Sequence, residues 1–252
     1  MSWHPSQVPR GDGTVTLEVR DRVAELVIDN AARRNAISPG MMVDLEQALE
    51  RLEAWDGAAV VVRGAGTKAF CSGGDLEAVE RHLLDHGDAM ARFMTDLLDR
   101  MRRLRCVVIA AVEGSALGGG AEILTAADLV VASEGASIGF VHATLAVSPG
   151  WGGGRRLVEK VGSANAMRLL AFAERHDAAT AKRLGVVDEV VPQGGAVGEA
   201  ERWRARLASL PPDALHAAVE IARGTTVDRE RALFVSLWGA PLHRAALGAK
   251  GS

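Results

Sequence analysis

The chain has 252 residues, of which 48% are hydrophobic, so it is long enough for one large domain or two small ones with a sizeable buried core. Its 29 lysines and arginines nearly balance its 32 aspartates and glutamates, and the net charge of −3 gives no electrostatic case for nucleic acid or an anionic membrane as a partner. Only two cysteines occur, residues 1–12 lack the apolar core of a signal peptide, and no apolar run is long enough to span a bilayer, so we expect a cytoplasmic protein.

The first third of the chain contains the patterns of three strands and one helix. Two alternating apolar runs separated only by two polar residues are typical of a β-hairpin. A serine and a proline then precede apolar residues at helical spacing, and a continuous apolar run follows that is typical of a strand buried on both faces. These patterns predict a hairpin at 14–29, a helix from Ser38 to Trp55, a strand at 58–64 and a glycine-rich loop at 64–75.

The remainder of the chain becomes increasingly helical. Spaced apolar residues predict a second amphipathic helix, and short apolar runs predict further strands. In chain order, we predict a helix from Met90 to Leu104, a strand at 106–112, a turn entering a helix at 113–128, strands at 129–133 and 136–140, and helices beyond Gly152 interrupted at 185–192. Strands that alternate with helices predict one α/β domain, with a core over residues 1–192 and a helical C-terminal region over residues 193–252.

Two glycine-rich loops each follow a predicted buried strand, at residues 70–76 (FCSGGDL) and 116–123 (ALGGGAEI). Glycine lets a backbone approach a ligand closely, so two such loops are able to aim two amide N–H groups at one oxygen and form an oxyanion hole. Alternatively, the glycines only permit tight turns and close contact between helix and sheet. A loose dinucleotide-binding pattern at 64–69 is set aside, because its glycines lead into more loop instead of opening a helix.

Three side chains near these loops have two interpretations each. Glu122 comes directly after three glycines, where the helix dipole alone favours an acid and where a general acid or base would face the same pocket. His142 stands alone in an apolar segment and is either a hydrogen-bonded wall residue or a catalyst. Trp151 is either a core residue or a platform for substrate.

The paired arginines are interpreted from their charge alone. Arg155 and Arg156 are most simply solvated charges. Arg33 and Arg34 are either solvated or bound to phosphate groups, because guanidinium binds phosphate through charge-assisted hydrogen bonds. Nothing in the sequence near Cys71 marks that thiol as a nucleophile.

Six segments together resemble the crotonase, or enoyl-CoA hydratase/isomerase, superfamily. In the order in which that family has them, they are RRNAIS (33–38), KAFCSGGDLEAV (68–79), EGSALGGGAEILTAADLVVAS (113–133), SIGF (137–140), SPGWGGGRRLVEKVG (148–162) and AKRLGVVDEVV (181–191). The resemblance implies a crotonase-like spiral of ββα units and coenzyme A thioester substrates with no separate cofactor or metal. It also implies that the helical region at 193–252 serves self-association, as a homotrimer or a dimer of trimers.

Three segments are similar to the branch of that superfamily that decarboxylates ethylmalonyl-CoA and methylmalonyl-CoA: FVH (140–142), SPGWGG (148–153) and LWGAP (237–241). Hydratases of the superfamily use two glutamates, of which the first aligns with Glu122 and the second falls at His142. A neutral histidine offers one donor and one acceptor with a different reach, so it does not simply replace that carboxylate. The expected function is therefore decarboxylation of a short 2-alkylmalonyl-CoA through a thioester enolate, with His142 in an altered acyl pocket that contacts the substrate's carboxylate.

The resemblance also implies the roles of individual residues. The amides of Gly74 and Gly119 form the oxyanion hole, and Glu122 or His142 protonates carbon 2 of the enolate. The expected substrate-binding residues are Arg33, Arg34, Ser72, Gly73, Leu76 (near the adenine), Val141 and Trp151. Two alternatives stay open, namely an enoyl-CoA hydratase or isomerase that works with Glu122 alone, and a non-catalytic acyl-CoA-binding or scaffold homologue.

Overall fold

Two β-sheets form the framework of the chain in the computed structural model, which describes residues 3–249. Within that range the strands are β1 Thr14–Arg20, β2 Val23–Asp29, β3 Ala59–Gly64, β4 Ala69–Cys71, β5 Val107–Val112, β6 Ser115–Leu117, β7 Leu129–Ser133, β8 Ser137–Gly139, β9 His176–Asp177 and β10 Glu189–Val191. The larger sheet has the order β1-β2-β3-β5-β7-β10, and the smaller sheet has the order β4-β6-β8-β9. Neighbouring strands are parallel, apart from the antiparallel pairs β1–β2 and β8–β9.

The helices follow the order that the sequence predicts. They are α1 Pro39–Glu53, α2 Leu76–Ala78, α3 Gly87–Arg103, α4 Gly119–Leu124, α5 Gly153–Ala171, α6 Ala178–Arg183, α7 Ala196–Ala208, α8 Pro212–Ala222, α9 Val227–Leu237 and α10 Pro241–Ala249. Helix α1 begins as predicted, because the Ser38 hydroxyl accepts a hydrogen bond from the Met41 N–H and Pro39 occupies the first turn, where no N–H is needed. Shorter helical turns occur at Pro5–Gln7, Ala31–Arg33, Val79–Leu83, Leu84–His86 and Val141–Leu145.

A repeated unit generates the fold. The strands β3, β5 and β7 of the larger sheet each lead into a strand of the smaller sheet, β4, β6 and β8 respectively, and then into helical structure. This is the spiral of ββα units that the resemblance implies, so the predicted fold class is confirmed. The prediction of a glycine-rich loop at 64–75 was wrong for Ala69–Cys71, which form β4, and the predicted turn after β5 contains β6. Strands of three residues are too short to show a period.

Apolar side chains are buried on both faces of the larger sheet, as its continuous apolar runs predict. Successive residues of β3 alternate between the faces: Val60 belongs to the cluster that includes α1 and α3, whereas Val61 belongs to a second cluster with α7 and α8. Leu215 and Val219 of α8 are buried in that second cluster. The first two helices of the predicted C-terminal region therefore complete the core.

The last two helices, α9 and α10 (Val227–Ala249), are named the C-terminal arm below. Between Val227 and Gly248 no residue of the arm is buried, and the large apolar side chains of Phe234, Trp238 and Leu242 are exposed. The role of residues 193–252 in self-association stays a prediction, and residues 1–2 and 250–252 of the two predicted regions lie outside the described residues. None of the helices within residues 3–249 combines the length and the apolar character that crossing a membrane requires.

Candidate active site

The two predicted glycine loops lie against each other where β4 and β6 end. A β-carbon on Gly73, whose φ is +105°, would lie 3.2 Å from the Gly119 nitrogen, so the two backbones are in contact. The Gly73 carbonyl accepts from the Ile37 N–H, and the Asp75 N–H donates to the Ile37 carbonyl. The Gly74 N–H between them has no acceptor in the part of the chain that the structure describes. Within the described residues, the Gly119 N–H at the start of α4 has no acceptor either. Two unsatisfied amide donors on touching loops are what an oxyanion hole requires.

The segment RRNAIS is bonded to the connection between β3 and β4, which leads into the first glycine loop. The side chain of Asn35 is buried, and its Nδ2 donates to the carbonyls of Ala65 at 3.1 Å and Ala69 at 2.8 Å. Its Oδ1 accepts from the Asn30 N–H at 3.0 Å. Asn35 has a φ of +57°, a left-handed conformation in which asparagine is enriched. Sequence reasoning did not identify this residue, although a single asparagine at a left-handed turn is the signal that marks it.

The indole of Trp151 covers both glycine loops. A β-carbon on Gly119 would lie 2.5 Å from Cζ3 of the ring, and one on Gly74 would lie 3.8 Å from Cζ2. The side chain is also part of the main apolar cluster. The sequence allowed Trp151 to be either a core residue or a platform for substrate. In the structure its ring is buried in the core and also contacts the two residues that carry the free amides. Direct contact of Trp151 with substrate stays a prediction.

The carboxylate of Glu122 is buried and accepts four hydrogen bonds. Oε1 accepts from His142 Nε2 at 3.0 Å and from the Gly150 N–H at 3.2 Å. Oε2 accepts from the N–H groups of Trp151 at 2.9 Å and Gly153 at 2.8 Å. An ionised carboxylate has about four lone-pair directions, so its accepting capacity is used up. Since such a group only accepts, the pairing assigns the histidine proton to Nε2.

His142 lies in the wall of the site beside the second glycine loop. Only 9% of the residue is exposed, and Nδ1 is buried without a hydrogen-bond partner among the described residues. Nε2 lies 3.9 Å from the position of a β-carbon on Gly118, the residue before Gly119. The predicted contact with a substrate carboxylate stays a prediction. A substrate carboxylate that binds Nε2 would have to displace the Glu122 carboxylate. One that binds Nδ1 would require that buried atom to become exposed.

The prediction that Arg155 and Arg156 are solvated charges holds for the first and was wrong for the second. Arg155 is exposed and pairs with Asp99 and Glu159. The Arg156 side chain has no exposed surface, and it donates to Asp99 Oδ1 at 2.7 Å and to Thr125 Oγ1 at 3.1 Å. Burial lowers the pKa of Arg156 from its ordinary value, which the hydrogen bond to Asp99 opposes. Consecutive helical residues point in different directions, so two adjacent arginines need not share an environment.

A cleft of about 540 Å³ opens beside the first glycine loop and brings together predicted residues that are distant in sequence. The predicted residues that line it are Arg33, Arg34, Ser72, Gly74, Leu76 and Val141. Gly73, Gly119, Glu122, His142 and Trp151 form the buried layer next to it. The guanidinium of Arg33 is already held by Asp75 at 3.2 Å and Glu77 at 2.5 Å. Asp12 lies 3.7 Å from its Nε, so the predicted contact with phosphate competes with three carboxylates.

Arg175 also lines the cleft and was missed in the sequence. It reaches this position because the next residue, His176 in β9, pairs with Ile138 of β8. A strand of two residues leaves no pattern in the sequence, which explains the omission. The side chains of Arg175 and Arg34 make no hydrogen bond or ion pair within the described part of the chain, so the cleft contains two uncompensated cations.

A larger groove of about 990 Å³ lies between α3, α8 and α9. It contains none of the predicted catalytic or substrate-binding residues. Several of its arginines are neutralised by ion pairs, such as Arg155 with Asp99 and Arg229 with Glu220. The candidate active site is therefore the smaller cleft, because the free amides and the buried Glu122–His142 pair adjoin it.

Comparison with known proteins identifies the family of the chain. Residues 18–235 match the family model described as enoyl-CoA hydratase/isomerase. The chain is 41% identical to a Danio rerio protein named ethylmalonyl-CoA decarboxylase over 90% of this chain and 80% of that protein, and 34% identical to the Homo sapiens protein of that name over 95% and 82%. Among solved structures, an enoyl-CoA hydratase from Bacillus anthracis superposes with a TM-score of 0.88 at 27% identity, covering 94% of this chain and 96% of that one. Pseudomonas aeruginosa DspI superposes with a TM-score of 0.86 at 32% identity, covering 94% and 93%.

Proposed function

The chain belongs to the enoyl-CoA hydratase/isomerase family, and we propose that within it the protein decarboxylates a short 2-alkylmalonyl-CoA such as ethylmalonyl-CoA or methylmalonyl-CoA. The observation that carries this proposal is the saturated carboxylate of Glu122. Hydration needs a base that activates water, yet this carboxylate has no free lone pair and its side-chain partner is a histidine. Decarboxylation needs no base to start, because the departing carboxylate supplies the electron pair. The relatives named ethylmalonyl-CoA decarboxylase agree with this choice.

The reaction proceeds through an enolate of the thioester. The bond between carbon 2 and the carboxylate breaks, CO₂ leaves, and the electron pair moves into the thioester carbonyl, so that negative charge collects on its oxygen. The N–H groups of Gly74 and Gly119 donate to that oxygen. One preorganised donor of this kind is typically worth about 10²–10³ in rate. The thioester carbonyl is itself the electron sink, so the proposed reaction requires no metal, biotin or nicotinamide.

Carbon 2 then takes up one proton, which completes the acyl-CoA product. The proposed source is the Glu122–His142 pair after it has taken up one further proton from solvent, because the pair lies next to the loop that carries Gly119. The imidazolium gives one proton to carbon 2 and returns to the neutral imidazole that bonds to the carboxylate. Glu122 orients the imidazole, and the imidazole carries the proton. The buried indole of Trp151 excludes water from the same layer, which protects the enolate from unguided protonation.

The coenzyme A moiety lies in the cleft of about 540 Å³, with Leu76 near the adenine. Arg34 and Arg175 face the phosphates, since they are the two cations of the cleft without a carboxylate partner among the described residues. The proposal extends to the assembly and the location of the protein. The protein is cytoplasmic and forms a homotrimer or a dimer of trimers through the C-terminal arm, whose exposed apolar side chains support an interface there.

The test compares four thioesters side by side: malonyl-CoA, methylmalonyl-CoA, ethylmalonyl-CoA and crotonyl-CoA. CO₂ release and hydration of the double bond are both measured. We expect CO₂ from one or both alkylmalonyl thioesters and little hydration of crotonyl-CoA. Rapid hydration without any CO₂ would assign the protein to the hydratases, and failure to bind any acyl-CoA would favour a non-catalytic scaffold.

A further inference from the structure

The fully buried guanidinium of Arg156 bonds to three separate elements of the fold. Its Nη1 donates to Asp99 on α3, its Nε donates to Thr125 directly after α4, and its Nη2 donates to the carbonyl of Trp151 in the loop before α5. Arg156 lies behind Glu122 and Trp151, and it does not line the substrate cleft. Its contacts with protein groups therefore have to account for any effect on the reaction.

Two of those contacts lead directly to Glu122. The Thr125 hydroxyl donates to the Glu122 carbonyl at 2.6 Å while it accepts from Arg156. The Trp151 N–H donates to the Glu122 carboxylate at 2.9 Å, and the carbonyl of the same residue accepts from Arg156. The guanidinium thus closes a ring of hydrogen bonds that fixes the backbone of Glu122 on one side and its carboxylate on the other.

The loop before α5 is shaped around this guanidinium. Gly152 has a φ of +74°, and a β-carbon there would lie 2.8 Å from Nη1 of Arg156. A side chain at this position would therefore both strain the backbone and displace the arginine. The same loop supplies Trp151, whose ring lies over the two free amides. A shift of the loop moves the indole and the Glu122 hydrogen bonds together.

We propose that Arg156 is a positioning residue for the enolate site: it holds the Trp151 carbonyl and Thr125 so that the indole, the Glu122 carboxylate and His142 stay fixed relative to the free amides of Gly74 and Gly119. A planar fork with several donors suits this role, and a lysine offers only a point charge. Misplacement of reacting groups by about 1 Å typically costs about 10²-fold in rate, which sets the expected size of the effect. The consequence for catalysis rests on the proposed function, whereas the consequence for enolate binding does not.

A purely structural role makes a different prediction. If Arg156 only pairs with Asp99 to tie α3 to α5, then Arg156→Lys preserves the charge pair, and any loss of stability lowers every activity in proportion to the folded fraction. If Arg156 positions the site, the folded variant binds acyl-CoA normally but fails to stabilise an enolate. Arg155→Met is the matched control, because it removes an adjacent arginine that also pairs with Asp99 but lies on the surface.

The experiment uses the full chain and three measurements on Arg156→Lys, Arg155→Met and the parent. Calorimetry with butyryl-CoA reports ligand affinity without chemistry, and the ultraviolet absorbance of bound acetoacetyl-CoA reports its enolate. Turnover of ethylmalonyl-CoA gives kcat and KM. For Arg156→Lys we expect butyryl-CoA affinity within about 3-fold of the parent, a loss of enolate absorbance, and kcat lower by about 10²-fold with little change in KM. Arg155→Met should behave as the parent in all three.

The proposal is overturned if folded Arg156→Lys keeps the parent's enolate absorbance and kcat, or if Arg155→Met loses as much. Should Arg156→Lys not fold, Thr125→Val replaces it, because that change removes the hydroxyl that links Arg156 Nε to the Glu122 carbonyl and keeps the arginine. Thr125→Val with unchanged enolate absorbance would also overturn the proposal. A parent protein that binds butyryl-CoA and forms the enolate but releases no CO₂ refutes the decarboxylase assignment alone, and the enolate comparison still decides the role of Arg156.

Discussion

The layer around Glu122 and the C-terminal arm differ in how completely a single chain satisfies their chemistry. Around Glu122, a buried carboxylate has four donors and a buried guanidinium has acceptors on three elements. In the arm, Trp238 is 65% exposed. Among the described residues, the aromatic neighbours of its ring both belong to the arm, namely Phe234 at 5.1 Å and His243 at 4.8 Å between centroids. The polar groups around Glu122 are bonded within their own chain, and we call this region closed. The apolar side chains of the arm are exposed, and we call that region open.

The layer around Glu122 is preorganised within one chain, whereas the apolar side chains of the C-terminal arm are left for a partner to cover. A buried polar network is stable only when each member is bonded, so an unbonded polar group in the site indicates a position at which a ligand binds. Within residues 3–249, such groups include the N–H groups of Gly74 and Gly119 and the Nδ1 of His142. In the arm, the exposed apolar side chains indicate an interaction surface, since apolar patches of this kind mark such surfaces. Under the proposed function, the first region binds a charge that develops during the reaction, and the second binds further copies of the chain.

Removal of one free amide should have the largest effect. Gly119→Pro deletes an N–H at the first turn of α4, where proline is otherwise tolerated. We expect kcat for CO₂ release to fall by about 10²–10³-fold. Gly119→Ala is the matched control, because its β-carbon meets the same Trp151 ring but its N–H is retained. The measurement is kcat of both folded variants, and equal losses in the two would show that crowding by the indole, rather than the lost N–H, is responsible.

Disruption of the bonded layer should separate CO₂ release from protonation. In Glu122→Gln an amide group replaces one carboxylate oxygen, so its NH₂ faces the Gly150 N–H or the N–H groups of Trp151 and Gly153, all of which are donors. A buried donor left unpaired costs about 1–3 kcal/mol of stability. We expect measurable CO₂ release, because no base starts the reaction, with slower or less stereospecific uptake of solvent deuterium at carbon 2.

His142→Ala is the companion variant of Glu122→Gln. It removes the imidazole but leaves three backbone donors on the carboxylate. We expect KM for ethylmalonyl-CoA to rise more than the Kd for butyryl-CoA, since only the former carries a free carboxylate. Loss of all CO₂ release in Glu122→Gln, together with an unchanged KM in His142→Ala, would contradict this assignment of roles.

The open region is tested through its most exposed aromatic side chain. Trp238→Asp places a charge on the apolar face of the arm without touching a buried residue. We expect self-association to weaken by about 30-fold or more, as for an aromatic anchor at an interface. Sedimentation over a concentration series measures this, with Leu84→Asp as a control at an exposed leucine outside the arm. A parent chain that is monomeric at micromolar concentration would contradict the proposed assembly.

The same contrast explains how much of the molecule the sequence predicts. Local signals were sufficient for the start of α1 at Ser38 and for the positions of the two glycine loops, because caps and turns depend on neighbouring residues. Arg156 and Arg175 were not predicted correctly, because their partners or neighbours come from elements far away in the chain. The pairing of Glu122 with His142 was likewise not predictable, since it depends on a loop that folds back over α4. The family resemblance supplied the roles that periodicity did not.

The smallest expected effect concerns two thiols in the closed part of the molecule. Burial raises the pKa of both Cys71 and Cys106 from 9.0 to about 12. Between those values the unfolded chain loses its thiol protons while the folded chain keeps them, so the unfolded state binds fewer protons and stability falls as pH rises. From pH 8 to pH 10 the free energy of unfolding should drop by at most about 1.4 kcal/mol for each thiol. Urea unfolding of the parent and of Cys106→Ala at both pH values measures the drop. Cys106→Ala should show about half of the parent's drop in the free energy of unfolding, because Cys71 beneath the glycine loop still contributes. A stability that is independent of pH in this window would show that water reaches the layer we describe as closed.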